Sequence, residues 1–167
     1  MSAKDGSVVR NLTPGFDMDR GFEYIATPSL SNMVPWMSWS PQGDRIAYFV
    51  RTEKHKTLIL HNAVTGKIDR RVELRNVDMP ESPDISPDGR TVAFSALSGA
   101  IGDIFVVDLK AKKPAPKLVT KHKGMVQNHS HTFTADGKKL VYGPVPVRTG
   151  RNGAHSFVEV EDEEGGK

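Results

Sequence analysis

The chain has no cysteine. That excludes disulfides, thiolate metal sites and a cysteine nucleophile. It leaves the compartment open, because a protein exported into an oxidising space can simply avoid thiols. No apolar run reaches the roughly 18 residues that a membrane-crossing helix needs, so none is expected. The first 13 residues contain no apolar stretch of the secretory kind, and no such signal is expected in the chain as written. The pattern G-x-S-x-G is absent too, so the chain carries no nucleophile elbow of the hydrolase type.

A dense basic cluster is also missing. The formal charge is +3, and residues 159–167 hold five acids (Glu159, Glu161, Asp162, Glu163, Glu164) against Lys167. The body is left with 22 basic and 15 acidic residues, about +7. Such a charge can attract anionic partners. Its bases, however, are dispersed over turns and strand ends without interleaved aromatics, so nucleic-acid binding is not expected.

What is present is a short phrase that occurs three times. Trp39-Ser40-Pro41-Gln42-Gly43 returns as Ile85-Ser86-Pro87-Asp88-Gly89 and as Phe133-Thr134-Ala135-Asp136-Gly137, with the glycines 46 and then 48 residues apart. A hydroxyl residue, then Pro, then Gly at the fourth place suit a type I turn: Pro pre-sets φ and Gly accepts φ > 0. Each copy is followed by a compact apolar strand. A repeat of this period lies in the range of propeller blades, each a four-stranded antiparallel sheet.

The repeat divides the chain. Residues 1–32 read as the end of a preceding blade, with a short strand at Val8–Thr13, followed by a long loop over 14–32 with at most one brief strand. Residues 33–78 form the first blade, with strands at Val34–Ser40, Asp44–Arg51, Thr57–Asn62 and Ile68–Leu74. Residues 79–124 repeat that plan, with Pro83–Ile85 on the inner strand and strands at Thr91–Ser95, Ile104–Asp108 and Lys117–Thr120. A longer hairpin loop spans Leu97–Gly102. A partial third blade covers 125–160, with strands at His129–Thr134, Lys138–Tyr142 and Ser156–Val160. The acidic tail 161–167 is expected to be disordered.

The phrases Trp39 to Tyr48, Ile85 to Phe94 and Gly102 to Leu109 resemble the repeat of TolB-like, WD-like propellers. The propellers of prolyl-oligopeptidase-type and tricorn-type proteases share it. The resemblance covers roughly residues 33–142, and Thr134-Ala135 departs from its usual Ser-Pro. It implies an all-β propeller with two full blades and partial ones. Since a closed ring needs at least four blades, it also implies an arc cut from a larger propeller. Open edge blades would favour self-association, and a periplasmic or otherwise exported location follows from the family.

Candidate chemistry sits just before the turns. His129 and His131, two apart on one strand, share a face and can offer two imidazoles to a divalent metal, with Glu81 on the neighbouring inner strand as a third ligand. The simpler reading is preferred: two polar side chains lining a channel with water between them, and neither metal nor cofactor. Asp88 and Asp136 are read as bonding turn backbone, Asp84 as a cap or bridge within its strand, and Trp39 as core. Trp36, aligned with Ser82 and Ser130, is the better ligand contact. The sequence thus reads as a non-catalytic scaffold binding a protein or peptide partner through Trp36, Glu81, His129 and His131, aided by the 14–32 loop. The alternative is the substrate-gating propeller of a peptidase or amidohydrolase whose catalytic domain is not in this chain.

Overall fold

A computed structural model describes residues 4–5, 7, 23–24, 26–28, 33–35, 37–51, 55–98, 101–120, 126–127, 131–143, 145–146 and 156–159. The Val8–Thr13 strand and the acidic tail lie outside them. Every described element is a strand. In chain order these are β1 (Glu23–Tyr24), β2 (Ala26–Pro28), β3 (Met33–Pro35), β4 (Met37–Trp39), β5 (Arg45–Arg51), β6 (Lys56–Asn62), β7 (Lys67–Leu74) and β8 (Asp78–Ile85). There follow β9 (Thr91–Ser98), β10 (Ile101–Asp108), β11 (Lys117–Leu118), β12 (Val126–Gln127), β13 (His131–Phe133), β14 (Lys139–Tyr142), β15 (Val145–Pro146) and β16 (Ser156–Glu159).

Three antiparallel sheets carry the fold. The first runs β4-β5-β6-β7, with β1 sharing the inner edge of β5; the second runs β8-β9-β10-β11; the third runs β13-β14-β16. Two small pairs, β2-β3 and β12-β15, accompany them.

The expected inner strand Val34–Ser40 is divided. Met37–Trp39 pairs with Tyr48–Ile46 of β5, whereas β1 occupies the edge at Val50 and Arg51. With that edge taken, Met33–Pro35 pairs with Ala26–Pro28 instead. The expected long hairpin loop over Leu97–Gly102 is also corrected. Leu97 and Ser98 pair with Gly102 and Ile101, so the strands run almost to the tip.

The sheets stack through both faces of their central strands. Ala47, Phe49, Leu58, Leu60, Val72 and Leu74 of the first sheet pack against Ile85, Val92, Phe94, Ala96, Phe105 and Val107 of the second. Phe94 sits between two rings, edge-on to Phe49 at 5.4 Å and stacked on Phe105 at 5.7 Å. The opposite face of the second sheet (Ala93, Ile104, Val106) meets Leu140, Tyr142 and Phe133 of the third. Strands buried on both sides read as near-continuous apolar runs, as at Ile46–Val50 of β5, Val92–Phe94 of β9 and Ile104–Val107 of β10. The solvated outer strand β7 carries Asp69, Arg70, Arg71 and Glu73.

The three turns are built alike. Gly43, Gly89 and Gly137 have φ of 71°, 70° and 72°, and each amide donates to the carbonyl of Ser40, Ser86 or Thr134 at 2.8 Å. The hydroxyls of Ser86 and Thr134 donate to Asp88 and Asp136, which in turn accept the amides of Arg90 and Lys138. In the first turn Gln42 stands where the others have Asp, and Ser40 donates to Asp44 instead. Both Asp88 and Asp136 thus bond turn backbone.

Candidate functional site

The inner strands β4, β8 and β13 line one edge of the stacked sheets, and β8 is the irregular one. Its sequence places Pro80 and Pro83 in a strand, where each lacks the N–H that a ladder requires. The pairing with β9 skips accordingly: only Asp78, Glu81, Asp84 and Ile85 find partners, with register shifts on both sides of Glu81. Met79 and Ser82, each directly before a proline, take left-handed φ of 46° and 50°. Such positions cost about 1–3 kcal/mol each for ordinary residues and cluster at functional sites. The two bulges turn Pro80 and Pro83 into the interior and leave the side chains of Glu81 and Asp84 half-buried.

Both acids engage their neighbours. The Glu81 carbonyl accepts the Ser95 hydroxyl at 3.3 Å. The Asp84 carboxylate accepts the backbone N–H of Phe133 at 2.9 Å. Asp84 therefore bridges from the second sheet to the third, rather than within its own strand as the sequence suggested.

His131 lies two residues before Phe133. It pairs with Tyr142 while Phe133 pairs with Leu140, so all four side chains share the face turned to the second sheet. Both ring nitrogens are buried, and neither has a hydrogen-bond partner among the described residues. Burial depresses the imidazole's pKa below its ordinary value. The Ala93 backbone and the charges of Asp84 and Glu81 offset this only in part.

Of the four residues singled out from sequence, Glu81 and His131 are thus brought together across the seam between the second and third sheets. Trp36 and His129 lie outside the described residues. Among the described residues no three His, Asp or Glu side chains gather as a metal site would need.

Trp39 is a correction. It was expected in the core because it aligns with Ile85, yet it is 56% exposed whereas Ile85 is 3% exposed. Ile85 is covered by the first sheet. Trp39 pairs with Ile46, and Ile46 with His61, a row on the first sheet's other face, turned away from the second. Met37 on β4 (51%) and Met79 on β8 (52%) are exposed as well. Sequence reasoning passed over both methionines. For Met79 the adjacent Pro80 was the available signal, since a proline in a strand marks an irregular edge.

No family model matches the chain, and no curated protein matches it in sequence. Solved structures do match. The β-propeller domain of Cps50 (Swd1) from Myceliophteria thermophila superimposes with a TM-score of 0.51 and 17% identity over 70% of this chain. The fold is that of a β-propeller. The putative TolB of Agrobacterium tumefaciens gives a TM-score of 0.55 and 18% identity over 72% of this chain. Oligogalacturonate lyase from Vibrio parahaemolyticus gives 0.63 and 15% over 95%. This chain spans 37%, 42% and 40% of those three chains, respectively. The first two sheets are its full blades, the first with β1 added at its inner edge, and β13, β14 and β16 belong to a third.

Proposed function

We propose that the chain is a non-catalytic propeller scaffold that binds a protein or peptide partner along its inner strands. The observation that carries this is the exposure of three large apolar side chains, Met37, Trp39 and Met79, on two neighbouring inner strands, with half-buried Glu81 on the same strand as Met79. Met37 and Trp39 stand two apart on one face of β4, and exposed apolar side chains that sit together mark interaction sites more often than scattered ones; Trp is also enriched among the residues that anchor interfaces. A partner segment offering an apolar side chain and a base suits this edge.

The non-catalytic reading is supported by where the buried Tyr48–His61 pair lies. Tyr48 Oη and His61 Nδ1 lie 3.1 Å apart, but His61 is 1% exposed within the first blade, out of reach of a substrate. An exported, periplasmic location is the part of this reading that rests on the likeness to TolB.

A photo-crosslinking amino acid placed at Met79, with Val64 on an outer turn as the control, tests it. Val64 is equally open, at 67% exposed. One discrete adduct from position 79, absent from position 64 and weakened by Glu81→Lys, is the expected result. Equal labelling at both positions, or none at either, would remove the inner edge as the binding surface.

A further inference from the structure

We propose that His131 makes the seam between the second and third blades acid-responsive: protonation of its buried ring undocks β13 and β14 from β8 and β9.

The geometry carries this independently of the partner-binding reading. Phe133, Leu140 and Tyr142 pack on Ala93, Ile104 and Val106, and His131, on the same face as Phe133, stands at the margin of that apolar contact beside Glu81 and Asp84 of β8. A neutral imidazole there already leaves a donor and an acceptor unmet among the described residues. An imidazolium has two donors and a full charge, and burying it with neither donor bonded is far more costly than burying the neutral ring. Unpaired buried polar groups are rare in folded proteins, and here the fold places one at the join of two repeats rather than inside either.

The surrounding groups determine the direction. Strand β8 presents Glu81 and Asp84, both close enough to favour the cation. Strand β9 carries no ionisable residue, only the backbone of Ala93. Strand β14 contributes Tyr142 directly opposite, with Lys139 three residues away at the other end of the strand. Burial outweighs the two carboxylates, and the folded-state value falls below 6.5. Nor is Asp84 a free counter-ion, since its carboxylate already holds the Phe133 amide across the seam. Turning it toward His131 would give up the bond that joins the blades. Either route loosens the same contact.

The sign follows from linkage. With the folded value below the unfolded one, the unfolded or undocked state binds more protons. The docked state is therefore fully favoured above about pH 6.5 and loses ground as the pH falls toward the folded value.

Amide hydrogen exchange of the full chain between about pH 7.5 and 5, corrected for intrinsic rates, tests this. Opening at the amides of 131–142 should rise at least about threefold on acidification, within the roughly tenfold available per pKa unit of difference. Amides of β5 and β6 should not follow. His131→Gln should flatten the response, and an unchanged response in that variant would overturn the proposal. Where the variant does not fold, the wild-type ring decides by NMR titration. A His131 value below 6.5 with opening in step supports the proposal; a value at or above 6.5, or no opening, defeats it.

Discussion

The side-chain amide of Gln42 donates a 2.7 Å hydrogen bond to the carbonyl oxygen of Pro87, tying the first turn to the second across 45 residues of chain. The series continues on the far side of Pro87. A Cβ placed on Gly137 would lie 3.4 Å from the Pro87 ring, and one on Gly89 would lie 3.4 Å from the Arg45 guanidinium. The three repeat turns therefore touch one another in sequence, as well as closing their own hairpins.

Gln42→Ala should lower stability by about 0.5–1 kcal/mol, the low half of the range for a net hydrogen bond, because the pair is exposed. A urea midpoint shifted down with an unchanged slope is the expected readout. A changed slope would mean that the turn contact governs how the blades unfold together.

Gly43→Ala isolates the backbone cost, since nothing lies within 4 Å of the added Cβ. A left-handed residue with a Cβ costs about 1–2 kcal/mol, and thermal denaturation should show a loss of that size. Gly43→Asn should lose less, because Asn tolerates this region better. Equal losses for Ala and Asn would argue against φ as the cause.

Phe94→Ala should cost about 3–5 kcal/mol, as expected for removing a fully buried aromatic ring packed between two others. Trp39→Ala, at a half-exposed position, should stay within about 1 kcal/mol. Side-by-side chemical denaturation of the two variants checks the contrast. A large loss for Trp39→Ala would restore that residue to the core.

Acid should weaken the second and third turns. Burial works against ionisation of Asp88, but the Ser86 hydroxyl and the Arg90 amide and charge outweigh it, and its pKa falls below 3.8. At Asp136 the Thr134 hydroxyl leads the lowering, followed by the Lys138 amide. A depressed carboxylate contributes stability that is present above its unfolded value and lost as pH falls through the folded one. Asp88→Asn should therefore lower stability near pH 6 and flatten the loss that the wild type shows below about pH 4. An unaltered acid limb in that variant would show that Ser86 and Arg90 do not favour the charged form.

Much of this fold could be read from one phrase. The turn sequence dictates a left-handed glycine, the glycine recurs at blade spacing, and the runs following Asp44, Arg90 and Lys138 are apolar where a stacked sheet needs them. The inner strands were harder. Their residues pair along one edge only, so alternation does not constrain them, and Pro35, Pro80 and Pro83 break the ladder in ways that a period-2 reading cannot place. Trp39 shows the limit of repeat alignment. Matching it to Ile85 gave the correct place in the blade, but burial depends on which neighbour covers that face. Aligning the blades by their turns set Glu81 and His131 on neighbouring inner strands; the orphaned state of both His131 nitrogens depends on packing that no spacing encodes.

The two prolines of β8 bear on how anything could attach there. A peptide that binds by strand addition needs a row of free N–H and C=O groups along an exposed edge. Pro80 and Pro83 supply no N–H, and Met79 and Ser82 turn the backbone out of the plane beside them. The inner edge of the second blade is thus closed to an added fifth strand, and recognition at that edge has to be made by side chains.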